Sequence, residues 1–481
     1  MAYDSLYTGI SGLNAFQSEI DLISNNIANS GTVGFKGQRM TFADMFYQSN
    51  GFATKGPTQT RGGVNPQETG LGVRVNSIDT NFSQGGLQTT GLNTDLAING
   101  DGFFILRNTD GSGLPLYTRD GAFSLNSQGQ LYDPATGLAV QGFMANGNGV
   151  VTPTANPGAI NVPVGLQMQA AGTGAANAVK LGPNNDANFD VSIGGSLDQT
   201  QYAVAASGGS PVNKTVSTTI YDSLGNAHQA TITFTPAPPT APATLPATVN
   251  NPSGTGVAPA TAWQYTVSFG DSTTATPAST GFLFFDANGQ FINSSSSATG
   301  TPVHAVGTAA STTDGNAIAI NGWPAGDNST LATIGLDFSN MAALSGSATA
   351  NVISQNGYAA GTLSNITVGQ DGTVTGSFTN GQQKTIAQIA LATFQNEGGL
   401  HRAGGNTFEQ SANSGLPQIG TGAQGRFGAV IAGSLEQSNV SLADEFTKMI
   451  VAQRAFEANT RGISTADQNL QTVLNIRASS N

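Results

Sequence analysis

Few residues in this 481-residue sequence have the type and spacing to do covalent chemistry. The three histidines, His228, His304 and His401, fall in unrelated segments with no ligand spacing between them, so a shared metal or catalytic site is not expected. No GxSxG elbow and no HExxH occurs. Gly420-Thr-Gly-Ala-Gln-Gly425 matches GxGxxG literally, but it lies in a Gly-rich connection, without the strand, turn and helix that would aim backbone amides at a pyrophosphate. Acidic residues such as Asp133 and Asp286 stand in turn sequences, where an Asp side chain bonds to its own backbone. With no cysteine there are no disulfides, thiolate metal sites or thiol catalysis. No catalytic, cofactor-binding or metal-ligating residue is nominated, and no enzyme activity or cofactor is expected.

The chemistry that the spacing does support is association. Leu6, Leu13, Ile20 and Ile27 recur at heptad intervals, with Ile10 between the first two and Phe16 and Ile23 widening the stripe. At the other end Leu442, Met449, Phe456, Ile463 and Leu470 repeat the arrangement, flanked by Phe446 and Leu474. Narrow apolar seams of this period mark amphipathic helices that pair as a coiled coil. The first helix is expected from Asp4 or Ser5, either able to cap it, to about Asn29. Gly9 and Gly12 cost it roughly 1 kcal/mol each relative to Ala, so it is marginal alone. Ser441 with Asp444 resembles a capping box for the last helix, and Asp444–Lys448 and Glu457–Arg461 are i,i+4 pairs.

Between the ends the sequence is mainly β. Charged residues are only 9% of the chain, against about 25% in an ordinary soluble domain. Glycine, at 63 residues, leads the turn-forming types that replace them. The net charge of −12 argues against nucleic acid, which needs clustered cations. No run approaches the roughly 18 apolar residues of a membrane-spanning helix, and no cleavable signal peptide is visible. The pattern divides the chain into an N-terminal helix (1–30), a polar connector (31–76), an inner antiparallel β domain (77–164 and 356–433), an inserted outer β region (165–355) and a C-terminal helical segment (434–481). Ala230, Ile232 and Phe234, like Trp263, Tyr265 and Val267, alternate as half-buried strands do. The Pro-rich stretch 236–259 reads as an exposed loop, and 293–315 as Ser/Thr-rich surface.

Three segments carry a family resemblance. Asp21-Leu-Ile-Ser-Asn-Asn-Ile-Ala-Asn-Ser-Gly-Thr-Val-Gly-Phe-Lys36 resembles the N-terminal signature of the bacterial flagellar rod and hook axial proteins. Asp95-Leu-Ala-Ile-Asn-Gly-Asp-Gly-Phe-Phe104, with Tyr117-Thr-Arg-Asp-Gly-Ala-Phe123, is similar to that family's β-domain motif, and Met449-Ile-Val-Ala-Gln-Arg-Ala-Phe456 to its C-terminal helix. The long insertion, together with Tyr221-Asp-Ser-Leu-Gly-Asn-Ala-His228 and Tyr358-Ala-Ala-Gly-Thr-Leu363, resembles the hook branch of the family.

The resemblance implies a structural, non-enzymatic subunit exported unfolded, without a cleaved signal peptide, by the flagellar type III apparatus. It would assemble outside the cell as a helical homopolymer, a tubular universal joint that passes torque from rod to filament. Its implied partners are the hook cap, the distal rod and the hook–filament junction proteins, with no nucleic acid and no membrane insertion. Phe42 and Phe46 fit the spacing linked in such substrates to export-gate recognition. A distal rod protein of the same family and a secreted β-rich adhesin are the alternatives.

Overall fold

The apolar period at the two ends of the chain produces helices, and the alternating patterns between them produce strands. In the computed structural model α1 spans Ala2–Ala28, α2 is the short Gln199–Ala206 and α3 spans Leu442–Ala478. The structure describes residues 2–53, 63, 65–147, 149–153, 156–162, 165–171, 173, 190–222, 224–238, 249–250, 256–270, 280–295, 317–320 and 332–478. Among these it is mainly β, and the chain separates into two compact units. Unit 1 holds residues 1–164, 365–377 and 383–481, and unit 2 holds 165–364 and 378–382.

Both ends of unit 1 depart from the sequence reading. α1 is already helical at Ala2, because nothing before Leu6 breaks a helix, so neither Asp4 nor Ser5 is its first residue. α3 begins at Leu442 rather than within 434–441. There Ser434–Glu436 is a strand paired with Leu87–Thr89. Ser441 Oγ accepts the Asp444 amide at 3.5 Å at the head of the helix. Lys448 pairs with Glu445 at 2.7 Å and Arg454 with Glu457 at 3.1 Å, both at i,i+3, in place of the two expected i,i+4 pairs. Glu445 wins because it lies on the buried side of the helix, where a carboxylate most needs a partner.

The connector is not structureless. Gln38–Asp44 pairs antiparallel with Val73–Thr80, and Tyr47–Gly51 with Gln67–Gly70. Its polar residues misled the reading, because a two-stranded ribbon open to water needs little apolar alternation. The inner sheet is built around Phe103–Arg107, which pairs with Leu116–Thr118, Ala139–Met144 and Gln383–Thr393. Phe103, Ile105, Tyr117, Phe143, Phe394 and Phe408 form its core, with Tyr117 edge-on to Phe394 at 4.8 Å. The turns are closed as their sequences require. Asp133 Oδ1 accepts the Ala135 amide at 2.9 Å, and Gly137 takes a φ of 74° that other residues avoid.

Unit 2 has its own core between two sheets. Lys214–Tyr221, Ala227–Pro236, Thr261–Phe269, Thr280–Phe285 and Phe291–Ser295 pair antiparallel in that order. Ile232, Phe234, Trp263 and Tyr265 from this sheet meet Ile193, Leu336 and Phe338 from the other. In that other sheet Val191–Asp198 runs parallel to Ala332–Leu344, which corrects the expectation of wholly antiparallel domains. A parallel pair needs a long crossover, and the five-stranded sheet between the two strands supplies it. Pro236 is also a correction: it ends a strand opposite Trp263, and the Ala237 amide resumes the ladder to Ala262 O at 2.9 Å. Asn293, Ser294 and Ser295 are buried strand residues rather than surface. The rest of 293–315 lies outside the described residues, as do 239–248, 251–255 and His304.

Candidate assembly interface

α1 and α3 meet inside unit 1, but not mainly through the large apolar residues of the heptads. The sites of close approach are small. A Cβ placed on Gly9 would lie 2.7 Å from Ile463 Cγ1, and one on Gly12 would lie 2.9 Å from Asn459 Nδ2. Ala15, Ile23 and Asn26 continue the buried face of α1, and Glu445, Ala452 and Ala466 lie buried along α3. Met449, Phe456, Ile463 and Leu470 alternate with these and are half-buried. Buried and half-buried positions on α3 therefore recur at alternating intervals of four and three, the period of helix pairing.

On α1 the residues singled out by sequence divide. Ile23 is buried, while Leu6, Leu13, Phe16, Ile20 and Ile27 are half-buried. Ile10 is 46% exposed. At 3.6 residues per turn Leu6, Ile10 and Leu13 lie between about a third and a half turn from the Gly12–Ala15–Ile23–Asn26 face, with Ile10 opposite it. Leu442 and Phe446 are 45% and 51% exposed, and Ile450, next on the same helical row, is 59% exposed. These three therefore take no part in burying α1 and form an apolar row open to solvent. The side chain of Leu474 lies outside the described residues.

Polar groups fix the root of the helix pair. Asn26 Nδ2 donates to Gln38 O at 2.7 Å and to Glu445 Oε2 at 3.1 Å, and Asn26 Oδ1 accepts the Gln38 amide at 3.0 Å. Burial raises the Glu19 carboxyl above its ordinary range, and the charge of nearby Lys448 opposes that rise. Asn439 Oδ1 accepts the Gly37 amide at 2.8 Å, while its Nδ2 donates to Asn81 O and Ser83 O. Phe42 stacks on Phe16 with ring centroids 5.7 Å apart, whereas Phe46 is 82% exposed.

Four family models match the chain in order, from near its beginning to near its end. Residues 6–36 match the flagella basal body rod protein model, and 97–178 the D1 domain of flagellar hook protein FlgE/F/G. Residues 188–358 match the D2 domain of flagellar basal body protein FlaE, and 431–476 the C-terminal model of flagellar basal body rod FlgEFG protein. The flagellar hook protein FlgE of Treponema pallidum is 36% identical over 98% of this chain and 99% of its own length. The chain belongs to the flagellar hook protein family. The hook proteins of Escherichia coli and Salmonella typhimurium are each 33% identical, over 97% and 98% of this chain and 98% and 100% of their own lengths. The solved structure of Helicobacter pylori flagellar hook protein FlgE2 covers 73% of this chain at a TM-score of 0.46 and 15% identity, a likeness too low to bear on function.

Gly9, Gly12, Asn26, Glu445 and Asn459 join Ile23 and Ile463 where the two helices meet, and none of those five belongs to an apolar heptad. The available signal was the i,i+3 glycine pair followed by Ala15, a strip on which another helix can come close. A polar Asn facing that strip is the kind of residue that fixes register between paired helices.

Proposed function

We propose that this structural subunit of the flagellar hook polymerises through the apolar rows its own helix pair leaves uncovered. One observation carries the reading: Ile10 on α1 and Leu442, Phe446 and Ile450 on α3 are large, apolar and exposed, outside the seam in which α1 and α3 meet. Such rows are costly in water at about 25 cal/mol per Å² and gain that energy when neighbouring copies cover them. On this reading α1 and α3 form a coiled coil that also packs on helices of adjacent subunits and lines a tube. The seam residues Leu6, Leu13, Phe16, Ile20, Ile27, Met449, Phe456, Ile463, Leu470 and Leu474 then serve both kinds of contact.

The finer assignments follow from the hook itself. The tube is a universal joint carrying torque between rod and filament, outside the cell, with no enzyme activity. Its ends meet the distal rod, the hook cap and the hook–filament junction proteins. The chain leaves the cell through the flagellar type III apparatus without a cleaved signal peptide. Phe46, exposed beside the ribbon, is the better candidate for export-gate recognition, since Phe42 is engaged with Phe16. Residues 1–30 and 434–481 serve as the inner tube element, 31–76 as connector, and 165–355 as the inserted outer part. The test is deletion of the gene, with electron microscopy of the cell surface. Basal bodies with rods and no hooks are the expected result; intact hooks and filaments would overturn the proposal.

A further inference from the structure

Two cations are buried in unit 1 near the roots of the terminal helices, and one carboxylate answers both. Lys36 and Glu436 side chains are 0% exposed and that of Arg119 is 2% exposed. Lys36 Nζ donates to Glu436 Oε1 at 2.7 Å, and Arg119 Nη1 donates to Oε2 at 3.3 Å. The Gly85 amide donates to the same Oε1 at 2.9 Å, and the Gly34 amide to the Glu436 backbone carbonyl at 2.8 Å. One residue, on the strand just ahead of α3, thus closes four donors from three separate segments of the chain.

Each cation has one further acceptor, a neutral carbonyl: Lys36 Nζ donates to Ser83 O and Arg119 Nη2 to Gly100 O, both at 2.9 Å, and the charge of Glu397 also acts on both cations. The Arg119 guanidinium lies over the Phe103 ring at 5.3 Å, so the sheet core and the charge cluster are buried together. Arg402 covers Phe35 at 5.1 Å and donates to the Lys36 carbonyl. A Cβ on Gly85 would meet Gln437 O at 2.0 Å, which shows how tightly the Glu436 strand is seated. Burial lowers the Lys36 pKa, with Glu436 opposing, but a guanidinium cannot shed its proton in the same way. A buried charge that loses its partner is strongly destabilising, far more than the intact pair is stabilising.

We propose that Lys36, Arg119 and Glu436 form a completion latch: unit 1 closes, and holds α1 beside α3 for assembly, only when the strand Ser434–Glu436 brings in the carboxylate that bonds both cations directly. A chain still lacking that strand keeps two cations it cannot bury, so its inner sheet stays open. Neighbouring copies therefore meet paired helices only on complete chains. The latch builds on the reading of α1 and α3 as assembly helices, yet closure can be measured without assembly.

The test uses the full chain. Glu436→Gln keeps the side-chain size and an acceptor but removes the charge, and should raise the protease-sensitive open population of unit 1 on the order of a hundred-fold or more. Both tryptophans, Trp263 and Trp323, fall in unit 2, so the fluorescence unfolding transition should stay in place as an internal control. Lys36→Met/Glu436→Gln removes one orphaned cation and should recover about ten-fold of the lost protection, so that two substitutions are milder than one. Glu436→Gln with parental protection, or a double variant as open as the single one, would overturn the latch. Should unit 1 open as described while the unaltered chain fails to polymerise, the latch stands and the assembly reading falls.

Discussion

Gly12 sits where a methyl group would enter the amide of Asn459, 2.9 Å from its Nδ2. Alanine there gains roughly 1 kcal/mol of helix propensity, and the amide at the end of a mobile side chain can turn aside, so Gly12→Ala should change the stability of unit 1 by less than about 1 kcal/mol. Leucine has no such escape. Gly12→Leu should force the two helices apart and lower the helical unfolding midpoint, measured by circular dichroism on the unassembled chain. A Leu variant with an unchanged midpoint would mean that close approach at Gly12 contributes nothing. Gly9 stands at the same kind of crossing, against Ile463 Cγ1 at 2.7 Å, where the facing group is bulkier and gives less. Read as sequence, both glycines are simply weak points of a helix. Their positive role exists only once a second helix, far away along the chain, is known to cross there.

At the scale of elements, the two helices were legible and the face by which they meet was not. Heptad recurrence of large apolar residues gives the period but not the rotation of the helix about its axis. Here Gly12, Ala15, Ile23 and Asn26 face inward, leaving Ile10 on the opposite side of α1, while α3 turns Leu442 and Phe446 to solvent. The ribbon Tyr47–Gly51 with Gln67–Gly70 was missed because its strands carry no apolar alternation, while Gln38–Asp44 shows only Met40 and Phe42. The inner sheet was readable because Phe103–Leu106 is a continuous apolar run and Ile386–Phe394 is mostly apolar, both close to turn residues. The outward rotation of α3 separates folding from assembly. Phe446 is half exposed, so Phe446→Asp should move monomer stability by no more than about 0.5 kcal/mol, helped by a carboxylate near a helix N-terminus. The same change places a charge in the row proposed to meet neighbouring copies, and polymer yield by sedimentation should fall to background. Ile20→Asp, at a half-buried position, should lose polymerisation too, with the β regions still folded. Normal polymers from Phe446→Asp would remove the α3 row from the interface.

At the scale of the whole molecule, every group assigned here to helix pairing, closure and assembly belongs to unit 1, while unit 2 carries a separate core around Trp263, Tyr265 and Phe338. A unit that buries its own apolar surface does not depend on the other for folding free energy, so unit 2 should be separable from polymerisation. Replacing residues 165–364 by a flexible Gly/Ser linker tests this, since such linkers add only a slowly growing closure cost with length. Helical signal and protease protection of unit 1 should persist, and electron microscopy should show tubes of reduced diameter. If the shortened chain keeps its folded unit 1 yet forms no tubes, unit 2 supplies an indispensable subunit contact and the helices are not sufficient. If tubes form but no longer bend on the cell, flexibility resides in unit 2 while the power to polymerise resides in the chain ends. That division matches the chemistry proposed for the two parts, in which apolar rows on α1 and α3 supply the free energy of association. Unit 2's outer face offers exposed Ser and Thr side chains such as Thr215, Ser217 and Ser268, whose contacts are cheap to exchange.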